Sequence, residues 1–472
     1  MTFKLSRRNF IWLSLMTSAC TVMPWENRQG AEKSADAWQK ASRILDSLVP
    51  PNIPDNQFNV LNYGAMADGQ TKNTEAFAKA IDACYAAGGG TVVVPEGRYL
   101  TGAIHLRSNI ELHIQSGAVI LFSTDPADYP LVLSRYEGVE VYNYSPLIYA
   151  RDAQNVAVTG KGILDGQAAD QNWWSWCGSP KFGWQTGMPR QTEDRNLLFQ
   201  MAEAGVPVEQ RLFGQGHYLR PSLMEFYQCD NVLVEGLHIQ DSPFWNIHPV
   251  LCKNVIVRDV DVSGHGPNND GCNPESVDGM LIEHCRFDTG DDCIAIKSGR
   301  NADGRRVAVP SRNIIIRHCQ MKAGHGGVVI GSEISGGVYN VFVEHCQMDS
   351  PDLWYALRFK NNAMRGGRIE DIYVRDVNVG QVTYAAITCD FNYEEGADGP
   401  FTPELNNLLV ERLHVQQAKQ VLDSQGLANA PVRNIRLQDC SFNGVSKDSV
   451  ITYTQGLELN NVRVNGETVT EL

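Results

Sequence analysis

The chain has 472 residues, of which 43% are hydrophobic, enough for a sizeable core and too many for wholesale disorder. Its 40 basic and 54 acidic side chains leave a net charge of −14, which excludes a general affinity for nucleic acid or anionic membranes. There is no run of eighteen apolar residues, so no ordinary membrane-spanning helix is expected.

Residues 1–20 read as an export signal. Ser6-Arg7-Arg8-Asn9-Phe10-Ile11 has the twin-arginine pattern, and Phe10 to Ala19 is a mostly apolar run too short to span a bilayer. Thr17-Ser18-Ala19-Cys20 also has the form of a bacterial lipoprotein cleavage box, which makes Cys20 a candidate for acylation. The expected location is the periplasm of a bacterium, either free or membrane-anchored through Cys20. Loss of the segment removes Lys4, Arg7 and Arg8, so the charge becomes 37 − 54 = −17. Residues 21–56 are polar and end in Pro50-Pro51 and Pro54; they read as a linker, a tether with one short helix. Further on, Thr74 to Ala87 places Ala76, Phe77, Ala80 and Ile81 on one helical face, and Gly88-Gly89-Gly90 stops the pattern.

From there to the C-terminus the chain repeats itself. A short β-rich segment recurs, usually led by asparagine: Asn155-Val-Ala-Val, Asn231-Val-Leu-Val, Asn254-Val-Ile-Val, Asn313-Ile-Ile-Ile, Asn340-Val-Phe-Val. Asn407 and Asn434 continue the series, with Gly279, Asp371 and Gly456 leading three further copies. The spacings from Asn231 onward are 23, 25, 34, 27, 31, 36, 27 and 22 residues. A shortest period of 22 residues is too short for a pair of helices but suits one coil of three short strands. The fold expected over residues 57–472 is therefore all-β: a right-handed parallel β-helix whose open first coil is covered by the Thr74–Ala87 helix.

Six positions after each lead residue lies a small apolar slot, filled by Leu237, Val260, Cys285, Cys319, Cys346, Val377, Leu413, Cys440 and Val462. Cysteine alternates there with valine and leucine, so these cysteines read as buried thiols and not disulfides. Residues 167–221 interrupt the period as a long insertion carrying Trp173, Trp174 and Trp176, which either stack on sugar or form the insertion's own core. Folded over the groove, the insertion would close one end and favour cleavage from a chain terminus, its tryptophans against the terminal sugar.

Polar residues crowd one turn of four successive coils: Asn268-Asn269-Asp270, Gly290-Asp291-Asp292, Gly324-His325-Gly326 and Arg358-Phe359-Lys360. Stacked coils bring these within about three rungs, or roughly 14 Å. Carboxylates so close raise the pKa of at least one, which suits a general acid, while the others stay ionised to activate water. That is the two-carboxylate logic of glycoside hydrolysis. No cofactor is expected. No metal is expected either, because no zinc-type ligand pattern accompanies the acids and the nearby cations would repel one. Asn301-Ala302-Asp303-Gly304 lacks the later acidic residue of a calcium loop and reads as a turn.

These four motifs resemble those of the polygalacturonase family, the pectin hydrolases of glycoside hydrolase family 28. The one departure is Asn269, where the family has threonine. The resemblance implies that Asp291 protonates the leaving oxygen, that Asp270 and Asp292 activate water, and that the anomeric configuration inverts. It also implies that Asn268 helps position the site and that His325, Arg358 and Lys360 bind substrate. Tyr393 stands near a sugar-contacting tyrosine of the family. The expected activity is hydrolysis of α-1,4-galacturonosyl linkages in pectin or polygalacturonate, with exo-action, by a monomer. Three rivals are weighed against it: a rhamnogalacturonan or other pectin-side-chain hydrolase, a calcium-dependent pectate lyase, and a non-catalytic glycan-binding β-helix. The intact His and Arg-x-Lys motifs disfavour the first, and the acid triplet beside two cations disfavours the others.

Overall fold

A computed structural model describes the backbone of residues 25–472 and the side chains from Ser34 onward. The export signal and Cys20 lie outside the described residues.

The repeat is a parallel β-helix. One register runs unbroken through successive coils: Ile110 pairs with Val156, Val156 with Val232, Val232 with Val255, and so on to Ile435 with Leu457. Alternation along each strand puts one side chain inside and the next outside. The inward column from Leu237 to Val462 is buried throughout, with Cys285, Cys319, Cys346 and Cys440 at 2% exposure or less. All four are free thiols. Their Sγ–H groups point at backbone carbonyls two residues back, such as Cys319 to Arg317 O at 3.3 Å. Each coil thus caps its own sulfur.

The lead residues explain their own identity. Asn155, Asn231, Asn254, Asn313, Asn340, Asp371, Asn407 and Asn434 all hold φ between 51° and 62°, the left-handed region that asparagine, aspartate and glycine tolerate best. Their side chains then form a ladder: Asn254 Nδ2 donates to Asn231 Oδ1 at 2.7 Å, and Asn231 Nδ2 to Asn155 Oδ1 at 3.1 Å.

Helix α1 (Trp25–Ser47) replaces the tether expected at 21–56. Ala37, Trp38 and Ala41 pack on a stripe of outward-facing residues, Ala157, Leu233, Ile256, Leu281, Ile315 and Phe342. Trp38 Nε1 and Ser34 Oγ both donate to Glu411, and the Arg375 guanidinium lies 3.8 Å over the Trp38 ring. Helix α2 (Thr74–Ala86) buries Ala76, Phe77, Ala80, Ile81 and Cys84 against the first coils, as the sequence pattern predicts. The insertion contains α3 (Thr192–Glu203), and the Asn301–Gly304 stretch read as a turn opens a short helix, α4 (Asn301–Val307). Asp303 there accepts from Arg211 and Arg306, both at 2.9 Å, and from the Glu140 backbone N–H at 2.8 Å. Its oxygens are satisfied by protein donors. No described helix is long and apolar enough to cross a membrane.

Candidate active site

The four motifs converge because the coils stack. The Asn246 N–H donates to Asp270 O, the Gly271 N–H to Asp292 O, and the Cys293 N–H to Gly326 O, each at 2.8–3.0 Å. Asp270, Asp292 and Gly326 therefore occupy consecutive rungs of one outward column. In the parallel column, Val329 pairs with Arg358. Asp270, Asp291 and Asp292 each place an oxygen within 4.8 Å of the others'. Three carboxylates at that distance cannot ionise independently.

Their surroundings divide the charge. Asp270 is buried and accepts from Asn273 Nδ2 at 2.7 Å. Burial, and then the Asp291 charge, push its carboxyl well above the usual range. Burial acts most strongly, to raise Asp291, but the His325 Nδ1, 2.9 Å from Asp291 Oδ1, together with the Lys360 and Lys297 charges outweighs it and holds the carboxyl at about 2. The Asp292 backbone N–H adds a further bond to the same oxygen at 2.9 Å. Asp292 itself receives Lys360 Nζ at 2.8 Å, with Arg358 Nη1 at 3.7 Å. The three acids could offer a cation ligands, but the Lys360 ammonium already sits against Asp292.

The remaining expected residues fall around this centre. Asn268 Oδ1 accepts from Arg220 Nη2 at 2.7 Å and faces the cavity. His325 stacks on Trp354, centroids 3.8 Å apart. Tyr393 lines the cavity with its ring 5.3 Å from Lys360 Nζ and 5.7 Å from the Arg358 guanidinium. Asn269, the departure from the family motif, is a loop staple: it accepts from the Gly266 N–H at 2.9 Å and donates to the carbonyls of Ser242 and Phe244.

The cavity has a volume of about 350 Å³, and eleven of its sixteen lining residues come from outside the four motifs. Lys297 stands 2.9 Å from Glu333 and 4.7 Å from the Trp245 ring, and Glu333 and Asp270 keep it cationic against the cost of burial. Lys297 shares the outward parity of Ala295, one strand after the Gly290-Asp291-Asp292 motif, and nothing else in the sequence singles it out. Glu137, Gln191, Thr192, Arg195 and Glu394 close the far side. The insertion supplies three of those five. Its tryptophans do not face the sugar site: Trp173 is 1% exposed, packs 4.8 Å from Trp176 and 5.8 Å from Tyr129, and belongs to the core. Trp174 donates through Nε1 to Ser242 O at 2.9 Å. Stacking them against a terminal sugar is therefore ruled out for this conformation. Trp245, stacked on Phe244 at 4.9 Å, is the tryptophan that lines the cavity.

Known proteins agree with this architecture. Residues 214–463 match the model of glycosyl hydrolases family 28, and residues 57–119 match a rhamnogalacturonase A/epimerase, pectate lyase-like model. The chain belongs to glycosyl hydrolases family 28. Within this enzyme family, the structure of a hyperthermoactive exopolygalacturonase from Thermotoga maritima is 46% identical, with a TM-score of 0.89 over 92% of this chain and 97% of its own. A probable polygalacturonase from Vitis vinifera is 26% identical over 88% of this chain and 80% of its length. An exo-poly-α-D-galacturonosidase from Dickeya chrysanthemi is 28% identical over 71% of this chain and 57% of its own.

Proposed function

We propose that this family 28 hydrolase cleaves α-1,4-galacturonosyl linkages of pectin or polygalacturonate from a chain terminus. The observation that carries the reading is the acid triplet with Arg358 and Lys360 upon it, at the bottom of a cavity closed on one side. The cations suit the carboxylate of a galacturonate, and the closed side suits a terminus. Similarity to the two exo-acting relatives supports the same reading.

In the reaction, Asp270 and Asp292 take a proton from water as its oxygen attacks the anomeric carbon. Asp291 gives a proton to the glycosidic oxygen as that bond breaks. Burial favours the shared proton on Asp270, so the cycle requires that same proton to pass to Asp291, whose oxygen lies within 4.8 Å, which frees Asp270 to act as the base. The oxygens lie closer than the roughly 6.5–9.5 Å usual for inverting carboxyl pairs. Inversion is thus proposed from the motifs and not from the spacing, and proton NMR of the first-formed anomer tests it.

Early products from long polygalacturonate test exo-action: mono- and disaccharide with viscosity nearly unchanged support it, and mixed oligomers with a rapid viscosity drop overturn it. A lyase would instead yield an unsaturated product absorbing in the ultraviolet. We further propose export through residues 1–20 with acylation at Cys20, and action as a monomer. Fatty-acid labelling of the wild type and of Cys20→Ser tests the first, and sedimentation tests the second.

A further inference from the structure

The far wall of the cavity is built from four stretches of chain that meet at Arg300. Arg300 is 5% exposed. Its backbone N–H donates to Gly138 O at 3.0 Å, at the turn of a hairpin formed by strands Leu131–Tyr136 and Val139–Tyr144. Its Nη2 donates to Glu394 at 3.1 Å, while Nη1 stands 3.6 Å from Glu137 and 3.5 Å from Glu333. The guanidinium also lies 4.2 Å from the Phe199 ring of α3, the insertion's helix. Glu137, Glu333 and Glu394 all line the cavity.

Each glutamate has another cation of its own: Arg195 at 2.6 Å, Lys297 at 2.9 Å and Arg365 at 2.5 Å. Among the described residues, Arg300 alone is within 4 Å of all three. Its Nε and Nη1 have no hydrogen-bond partner, so charge and stacking hold it centrally instead of a committed pair with one glutamate. The packing is tight enough that a Cβ on Gly138 would meet Arg300 N at 2.6 Å. Without Arg300, three carboxylates from three loops lose the one cation they share, and among the described residues no other ion pair ties Glu333 to Glu137 and Glu394.

We propose that Arg300 is a specificity-determining positioning residue. It locks the hairpin, α3 and the loops of Glu333 and Glu394 into one wall, and the wall restricts cleavage to terminal linkages by stopping the polymer. This rests on the exo-acting reading. Arg300 touches no reacting atom, so its loss changes where the polymer is cut before it changes whether it is cut.

The test compares full-length wild type and Arg300→Ala on long polygalacturonate, by chromatography of early products and by viscometry. The wild type is expected to release mono- and disaccharide. Arg300→Ala is expected to release trisaccharides and longer oligomers as well, with a severalfold larger viscosity drop per bond cleaved. Arg300→Lys, which keeps the charge but loses the planar fork, falls between them. An unchanged product pattern in Arg300→Ala, whatever its rate or stability, overturns the proposal. Should that variant fail to fold, Arg195→Ala releases α3 from Glu137 at the more exposed edge of the wall, and an unchanged pattern there overturns it equally. Mixed oligomers from the wild type itself would instead overturn the exo-acting reading, and the wall's role as a stop with it.

Discussion

The floor and the far wall of the cavity are made in opposite ways. The floor lies on successive rungs of a solenoid, so residues one coil apart in sequence are one rung apart in space. Asp270, Asp292 and Gly326 follow that rule. The wall draws Glu137 from a hairpin, Arg195 from an insertion and Glu394 from a late loop, and ion pairs hold it together. Chemistry placed on the periodic part tolerates little change, whereas the irregular part sets which end of a substrate is accepted.

The sharpest break should come on the floor. Asp291→Asn is expected to lower kcat by 10²–10⁴-fold or more with the fold intact, and Asp270→Asn and Asp292→Asn should fall comparably because they act as a unit. Steady-state kinetics with circular dichroism would decide it; a near-normal rate in any one removes that residue from the mechanism. On the wall side, Trp173→Ala should act on stability, costing about 3–5 kcal/mol in denaturant unfolding as a core aromatic does. Normal stability with weakened substrate binding would return Trp173 to a sugar-stacking role.

A third measurement concerns His325. In the wild type its bond keeps Asp291 low, at about 2. His325→Asn removes that bond, so the Asp291 carboxyl rises and stays protonated to higher pH. If Asp291 is the acid, the alkaline limb of the kcat/KM profile moves up, alongside an overall loss of rate. Movement of the acidic limb instead would make Asp291 a base and Asp270 the acid. Smaller still, Cys319→Val should cost less than about 1.5 kcal/mol, because the column already interchanges these volumes. Reductant should leave unfolding unchanged, and EDTA should leave hydrolysis unchanged; activity lost to EDTA and restored by Ca²⁺ would favour the lyase.

The same contrast explains what could be read in the sequence. The coils, the buried thiols and the acid triplet were legible because a repeat converts position in the chain into position in space. The wall was not, since nothing in the sequence around Glu137 indicates that it meets Arg195 and Arg300. Trp173, Trp174 and Trp176 could be read two ways for a related reason: a cluster of aromatics has the same signature whether it faces a sugar or its own loop. The docking of α1 left a trace that could have been followed. The middle residues of successive repeats, Leu233, Ile256, Leu281, Ile315 and Phe342, face outward and yet are apolar. Arg436 and Glu458 occupy the same column farther on. An uncovered face would have been polar throughout.

That stripe determines more than where the N-terminal helix lies. A solenoid whose coils touch only their neighbours can open piecemeal, each interface failing separately. Helix α1 runs across the coils led by Asn231, Asn254, Gly279, Asn313 and Asn340, the last four of which carry Asp270, Asp291 with Asp292, His325, and Arg358 with Lys360. It bridges rungs that do not otherwise touch, so local fraying between any two of them must also release the helix. The middle of the stack is thereby expected to open as a single cooperative block, more protected from hydrogen exchange than the coils on either side.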